Sequence, residues 1–567
     1  MEPRAPRHRQ YEALRAYFVE GLSSGEVARR FGYQPGSFRI LCWRFRHGMD
    51  REFFRVVPRG PKMTPGKAAL RERIVALRKR NLSVYDIRDE LERGRSKERL
   101  SLTSIGNILR AEGFARLPRR ADEDRPAKVR PDADAVADVR EFTVARPAFT
   151  TKVGGVFLML PLLKQLGLDE LVKQARFPGT RMIPAQHAVR SALLLKLLGK
   201  ERRSHVMDLL FDQGVALASG LNAIPKATYM WQYSTRLGRK AMVRLLAGWI
   251  KCLQSQKLID ATSFNLDFHS ISFFGEDPFV QKHYVPRRSQ RRKAVLVFLA
   301  QDAEGEVFCY SNADIRKGEE ADEVLRFVAF WEKHYGKRPS HLVFDSKLTT
   351  YSNLRKLEDL DITFLTLRRR SPGLMAEVAQ IRRSAWRVVT LDIPHRKFQT
   401  PRVVEQRITL RDYGKPLRQL VIRDLGHDEP TILLTNDMTT SAKQLITRYA
   451  RRMLIENGLA DSVDFFHLDA LSSAVALNVD FDVLLTVMAG GLYRLFARAL
   501  HGYEHAQARQ IFRRFLDTTA RVVISDKEVL VRLPRRAHNP FLIDAGLIGK
   551  KTAIPWWGGC NLRIEIV

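Results

Sequence analysis

The chain has 567 residues, of which 45% are hydrophobic, so it is long enough for several domains and can bury substantial cores. This composition excludes a disordered tail protein. Lysine and arginine total 96 against 62 acidic residues, which gives a formal net charge of +34. So basic a chain favours a polyanionic partner, most commonly nucleic acid, although ribosomal and membrane-surface proteins can share this balance.

The distribution of cysteine and apolar residues bears on the compartment. The four cysteines lie far apart without a CxxC pair, which fits a reducing compartment better than a zinc site or a disulfide framework. The N-terminus lacks the apolar stretch of a signal peptide, and the most apolar late segment, 474–500, is interrupted by Asn478, Asp480 and Asp482. We therefore expect a soluble cytoplasmic, nucleoid-associated protein with no membrane partner.

Residues 1–60 predict a helix-turn-helix unit. Ser23 and Glu26 have the spacing of a capping box that begins a short helix, and Gly32 ends that helix. Tyr11, Leu14 and Phe18 share one face of a first helix, and a third helix, beginning near Pro35, carries Arg39 and Arg44. A short helix, a glycine-containing turn and a basic helix are the outline of a DNA-binding helix-turn-helix, and a generic three-helix core is the alternative.

Residues 61–120 predict a second unit of the same kind. Ser83 and Ser101 can each cap a helix, and Gly113 follows the second one. The segment 116–120 is a basic arm suited to a phosphate backbone, and we predict that its Arg119 and Arg120 bind DNA. A linker is expected at 121–150 and an all-α module at 151–258, where Val189, Leu193 and Leu197 recur at helical spacing.

From residue 264 the apolar period changes from helical to alternating. Three strands, a crossover helix and further strands alternating with helices indicate an α/β, ribonuclease H-like core. We expect its first part at 259–370, a β insertion at 371–435, a second part at 436–515 and a C-terminal segment at 516–567. The predicted fold is thus multidomain, with all-α N-terminal units and an all-α module preceding an interrupted α/β core.

Two carboxylates are predicted at one edge of this sheet. Asp267 lies within the first predicted strand and Asp345 ends the fourth, and a crossover helix would make those strands parallel neighbours. Carboxylate oxygens suit Mg²⁺ or Mn²⁺, and two such ions can assist phosphodiester displacement. Taken alone, an Asp that ends a strand is usually a turn residue.

A third acidic residue is expected on a helix that begins at Ser441. Tyr449, Arg452 and Glu456 fall at i, i+3 and i+7 and therefore share one face of that helix. Glu456 could bind a cation, Arg452 could grip phosphate oxygens and Tyr449 could donate a hydrogen bond. The alternative is an ordinary solvated helix face.

The segments 266–271, 343–348 and 449–457 resemble those of DDE-type transposases of bacterial insertion sequences. The resemblance is to the group with a β insertion before the catalytic glutamate and a Tyr-x2-Arg-x3-Glu-x6-Lys signature, and it covers roughly residues 150–500. It implies Asp267, Asp345 and Glu456 as catalytic metal ligands, with Tyr449 and Arg452 contacting DNA. The signature lysine is replaced here by Val463, so one phosphate contact is missing or supplied elsewhere.

The resemblance implies metal-dependent cleavage and strand transfer of double-stranded DNA, with terminal inverted repeats and target DNA as partners and a dimer or larger synaptic assembly. Two alternatives stay open: a non-catalytic DNA-binding regulator derived from a transposase, and an RNA-processing nuclease. For His269, His467 and the Trp556–Trp557 pair, structural roles are the favoured interpretation over catalysis or base stacking.

Overall fold

The computed structural model describes residues 6–49, 53–54, 65–80, 82–93, 100–115, 117, 148–180, 182–273, 281–285, 290–315, 318–348, 350–391, 398–426, 428–470, 476–525 and 527–567. The chain divides into two compact units, Met1–Arg125 and Pro126–Val567. Within the described ranges, no helix combines the length and apolar composition needed to cross a bilayer.

The first unit begins with the three predicted helices, α1 (Pro6–Phe18), α2 (Ser24–Phe31) and α3 (Pro35–Arg46). The Ser23 side chain accepts a hydrogen bond from the Glu26 amide at 3.3 Å, and Gly32 ends α2 in the left-handed conformation that glycine adopts without strain. Buried residues on all three helices, including Leu14, Val27 and Phe38, form one small core. Arg39 and Arg44 are exposed on α3.

Three further helices, α4 (Pro65–Lys79), α5 (Val84–Arg93) and α6 (Leu102–Ala111), surround a second small core that includes Ile74, Ile87 and Ile105. Ser101 accepts a hydrogen bond from the Ser104 amide at 3.1 Å and caps α6 as its position predicts. Arg119 and Arg120, the predicted DNA-binding residues of the basic arm, lie outside the described residues.

The larger compact unit, Pro126–Val567, contains the helical region expected at 151–258. This region contains α7 (Leu160–Gln165), α8 (Leu168–Gln174), α9 (Ala185–Leu197), α10 (Gln213–Ser219), α11 (Ala227–Thr235) and α12 (Arg239–Ser255), with 3₁₀ turns at Gly154–Met159 and Arg203–Leu209. Its apolar side chains pack into the same core as the sheet that follows, because one contiguous cluster of buried residues runs from Val156 to Ile564.

The larger sheet begins with β2 (Ser263–Ser272), β3 (Lys282–Val285), β4 (Gln290–Asp302) and β5 (Val307–Asn312). These are followed by α13 (Glu323–Tyr335), β6 (His341–Phe344), α14 (Tyr351–Asp359) and β7 (Thr363–Leu367). β2, β4 and β5 form an antiparallel meander, and α13 returns the chain so that β6 pairs parallel to β2. β7 is parallel to β6. This arrangement fits the α/β core that the sequence predicts.

The predicted β insertion continues this sheet rather than forming a sheet of its own. After α15 (Pro372–Ala379) come β8 (Arg387–Val388), β9 (Arg402–Thr409), β10 (Pro416–Arg423) and β11 (Thr431–Thr435). β11 pairs antiparallel with β7, so the strand order is β3-β4-β2-β6-β7-β11-β10-β9-β8, with β5 beside β4. The sequence pattern gave no sign of α15 or β3.

The rest of the chain begins with the helices α16 (Ala442–Arg451), α17 (Met453–Asp464), α18 (Ala476–Arg498) and α19 (Ala508–Ile511). After a π turn at Phe512–Leu516 follow β12 (Ala520–Ile524), β13 (Glu528–Leu533), α20 (Asn539–Asp544), β14 (Thr552–Ala553) and β15 (Asn561–Ile566). β12 to β15 form a second sheet with β1 (Ala148–Thr151), in the order β1-β12-β13-β15-β14. Residues 148–150, placed in the linker by the sequence prediction, therefore belong to a strand.

Candidate active site

Asp267 and Asp345 lie side by side at one edge of the large sheet. The parallel register pairs Leu266 with Phe344, so the next residue on each strand is one of the two aspartates. Neighbouring strands are about 4.8 Å apart, which brings the two carboxylates into one electrostatic environment. Asp267 Oδ1 accepts a hydrogen bond from the Phe268 amide at 2.8 Å, and Asp345 Oδ1 accepts one from the Ser346 amide at 2.6 Å.

Burial makes the negative charge of Asp267 costly. It raises the pKa of the Asp267 carboxyl above its ordinary value, and the neighbouring Asp345 raises that pKa further. The Arg452 guanidinium and the Phe268 amide oppose this shift without cancelling it. A buried carboxylate beside a second acid is stabilised by any cation that reaches it, so this edge of the sheet favours positively charged ligands.

The helix predicted from Ser441 begins as expected but is interrupted. Ser441 and Gln444 form a complete capping box, which starts α16. α16 ends at Arg451 and α17 begins at Met453, because the Arg452 amide bonds the Tyr449 carbonyl at 3.1 Å instead of one residue further back. The predicted helix through Glu456 is thus present as two consecutive helices, and they meet at the arginine of the signature, whose backbone keeps helical dihedral angles.

Arg452 joins the residues of this site. Its Nη1 donates a hydrogen bond to Asp267 Oδ2 at 3.1 Å, and its Nη2 lies 4.0 Å from Glu456 Oε1. The guanidinium also lies 5.5 Å from the centre of the Tyr449 ring, which is within cation–π range. The Arg452 side chain is 10% exposed, and its Nε is buried without a hydrogen-bond partner in the described part of the chain.

Tyr449 is largely buried in this arrangement. Burial raises the pKa of its phenol to about 12, Arg452 lowers it, and Asp345 and Asp267 raise it. The phenol is therefore neutral at physiological pH and can donate a hydrogen bond. The structure thus places Tyr449 and Arg452 beside the two aspartates.

Glu456 is near the aspartates but not gathered with them into a metal-binding cluster. Because one planar guanidinium contacts both groups, the carboxylates of Asp267 and Glu456 lie within about 10 Å of each other. In the described ranges, no group of three or more His, Cys, Asp or Glu side chains is spaced to hold a metal ion. The Glu456 side chain is 54% exposed, on the helix that follows the break.

Lys347 is a component of the site that the sequence reasoning missed. Lys347 lies two residues after Asp345 in the chain, and its Nζ is 4.9 Å from the centre of the Phe268 ring. Burial lowers the pKa of the Lys347 ammonium, whereas Glu320, Asp267 and Asp345 raise it. Its position two residues after the strand-ending aspartate was the available signal.

His269 has a partner that no sequence pattern indicated. Its Nε2 lies 2.5 Å from Oδ1 of Asp469, which follows α17 by five residues. This pair ties the strand that carries Asp267 to the segment just beyond the helix of Glu456. The sequence reasoning found no acid–base partner for His269, because 200 residues separate the two.

The other residues considered from sequence take structural positions. His467 Nε2 lies 3.1 Å from the Gly199 carbonyl, and Val463 is partly buried against the main core. Trp556 and Trp557 are buried, and their indole N–H groups donate to the carbonyls of Ala218 and Leu217 at 3.2 and 2.7 Å. The preferred interpretation of these tryptophans as packing residues is confirmed.

Residues 253–489 match the family model described as the transposase DDE domain. The matched segment contains both aspartates, Tyr449, Arg452 and Glu456. No curated protein is significantly similar to the chain. The match supports a transposase function, with the DNA binding and nuclease-type chemistry that this family implies and the divalent metals that its members generally use.

Proposed function

We propose that the protein is an insertion-sequence transposase that binds terminal inverted repeats, cleaves DNA at their ends and transfers the freed strand to target DNA. The observation that carries this proposal is the juxtaposition of Asp267 and Asp345 on parallel strands, within the segment similar to transposase DDE domains. An assembly of two or more protomers is part of the proposal, because transposition must bring two DNA ends together.

The donor set fits Mg²⁺ or Mn²⁺. Asp267 and Asp345 offer oxygen ligands, which hard cations prefer, and the burial of Asp267 makes a cation favourable there. Glu456 is the third proposed ligand, and its exposed side chain would move toward the aspartates to share an ion with them. When bound, the metal ions would activate the attacking oxygen and stabilise the leaving one in an in-line displacement.

The side chains around the carboxylates are proposed to bind DNA. Arg452 offers a planar guanidinium for bidentate binding of a phosphate, and its buried position limits its motion. Tyr449 offers a neutral hydroxyl for a hydrogen bond to the same phosphate. In the first unit, exposed Arg39 and Arg44 on α3, together with Arg119 and Arg120, are proposed to bind the repeat DNA.

The test uses the full chain and duplexes that carry the ends of inverted repeats flanking its gene. Asp345→Asn should still bind these ends but lose Mg²⁺-dependent nicking. Asp412→Asn is the matched control, since Asp412 is exposed in the turn between β9 and β10, and it should nick like the wild type.

Three results would count against the proposal. Nicking by Asp345→Asn at the wild-type rate would remove Asp345 from the site. Binding of the ends by a wild-type chain that never cleaves them would favour the DNA-binding regulator. Preferential competition by duplex RNA over duplex DNA would favour the RNA nuclease.

A further inference from the structure

Three consecutive arginines follow the last parallel strand of the large sheet. Arg368, Arg369 and Arg370 come directly after β7, and the register pairs Phe344 of β6 with Thr366 of β7. The segments that leave these two strands therefore emerge at the same edge of the sheet, one strand spacing of about 4.8 Å apart. One of these segments begins with Asp345, so the arginines stand beside the candidate active site.

A direct contact joins the two segments. Arg369 Nε donates a hydrogen bond to the Ser346 carbonyl at 3.1 Å, and its Nη2 lies 3.5 Å from the Lys347 carbonyl. The three arginines line a shallow groove together with Ser346, Leu367 and Ile432. This groove is therefore continuous with the residues that immediately follow Asp345.

Most of the positive charge in this groove is not neutralised within the protein. Arg368 Nη1 donates to the neutral Gln419 side chain at 2.5 Å, and Arg369 bonds backbone carbonyls. In the ranges that the structure describes, neither arginine forms an ion pair, whereas the exposed Arg370 pairs with Glu429. The hydrogen bonds from Arg369 to the carbonyls of Ser346 and Lys347 use two of the five N–H donors of its guanidinium, which leaves donors for a ligand.

We infer that this arginine groove binds backbone phosphates of duplex DNA next to the bond that is cleaved. The inference rests on the proposed function for the identity of the ligand. A phosphodiester that approaches Asp267 and Asp345 is repelled by their charges, and fixed guanidinium groups one strand away offset this repulsion. The planar fork of arginine also matches phosphate oxygens better than an ammonium group does.

The test measures DNA binding by the full chain in EDTA, so that no cleavage takes place, over a series of salt concentrations. Each phosphate contact contributes about −0.9 to the slope of log K against log [salt]. Arg369→Gln should reduce the magnitude of that slope by about one and weaken binding to a non-specific duplex about three- to tenfold at low salt. Arg369→Lys keeps the charge and should recover most of the slope.

The matched control is Arg411→Gln. Arg411 is exposed in the turn between β9 and β10, and the strand directions place this turn at the opposite end of the sheet. Its slope should equal that of the wild type. Arg370→Gln, at an exposed position, provides a second variant of the groove and should reduce the magnitude of the slope by less than Arg369→Gln does, because Arg370 is already paired with Glu429.

An unchanged slope in both Arg369→Gln and Arg370→Gln, with melting temperatures like the wild type, would overturn the inference. An equal loss in Arg411→Gln would also overturn it, since any surface arginine would then serve as well. These outcomes are independent of the proposed function, whose failure would appear as absent Mg²⁺-dependent cleavage by the wild-type chain.

Discussion

Arg452 donates a hydrogen bond to Asp267 at 3.1 Å and thereby links the break between two helices to the first strand of the large sheet. Both side chains are mostly buried, at 10% and 22% exposure. Such a pair is costly to break from one side only, because the remaining charge stays buried without its partner. The contact therefore bears on stability as well as on the chemistry of the site.

Replacing Arg452 tests this double role. Arg452→Gln should lower the free energy of unfolding by about 2 kcal/mol, because it leaves the Asp267 carboxylate without its cation. The measurement is urea denaturation of the full chain at neutral pH. The double variant Asp267→Asn/Arg452→Gln should be more stable than the sum of the single effects, and strict additivity would show that the two side chains do not interact.

Glu456 should matter for cleavage and little for folding. Its side chain is 54% exposed, so Glu456→Gln should change the free energy of unfolding by less than about 0.5 kcal/mol. If Glu456 is the third metal ligand, the same variant should cleave repeat ends at least about a hundredfold more slowly at equal Mg²⁺. Unchanged cleavage by Glu456→Gln would show that Glu456 is not the third metal ligand.

Asp437 offers a prediction of pH dependence away from the site. Burial alone would raise the pKa of its carboxyl, but hydrogen bonds from Thr440 and Thr439 outweigh burial and lower the pKa to about 2. A depressed carboxyl pKa stabilises the fold above the unfolded value of about 3.9. That contribution is lost as the pH falls through the folded value near 2.

Asp437→Asn should therefore remove this contribution at neutral pH. The expected loss is about 1 kcal/mol, since solvent screening reduces the value that the shift alone implies. Urea midpoints measured at pH 7 and between pH 4 and 2 give the check. Near pH 2 the variant and the wild type should converge, and a constant difference at every pH would show that the hydrogen bonds do not depend on the charge.

Substitution of Gly155 tests how closely the C-terminal segment packs on the helical region. A Cβ at this position would collide with the backbone of Leu516, which cannot move aside as a flexible side chain can. Gly155→Ala should lower the free energy of unfolding by about 3 kcal/mol. Gly373→Ala, in a helix with open space around the new methyl group, should be neutral or slightly stabilising in the same assay.

The parts of the fold and of the site that the sequence predicts are those that depend on patterns among residues close in sequence. The alternating run of β2 with Asp267, the short apolar run of β6 that Asp345 follows, and the capping box at Ser441 depend on neighbours only a few residues away. Parallel adjacency of β2 and β6 then follows from the crossover helix. This reasoning is sufficient to place Asp267 beside Asp345 and Arg452 beside Tyr449.

What could not be predicted depends on contacts between distant segments. His269 meets Asp469 across 200 residues, and neither sequence neighbourhood indicates the other. The helix break at Arg452 has no proline or glycine to mark it. The second sheet was not predicted because its strands are short and distant in sequence. β14 has only two residues, and β1, which has four, pairs with β12 more than 300 residues later.

The second sheet has a consequence for synthesis on the ribosome. β15 pairs with β13 and β14, and β1 pairs only with β12 in the described part of the chain. Because the chain emerges N-terminus first, the backbone groups of β1 lack their partner strand until β12 has left the exit tunnel. The second sheet therefore forms only after the whole of the larger sheet has been synthesised, and chaperones can bind β1 during this interval.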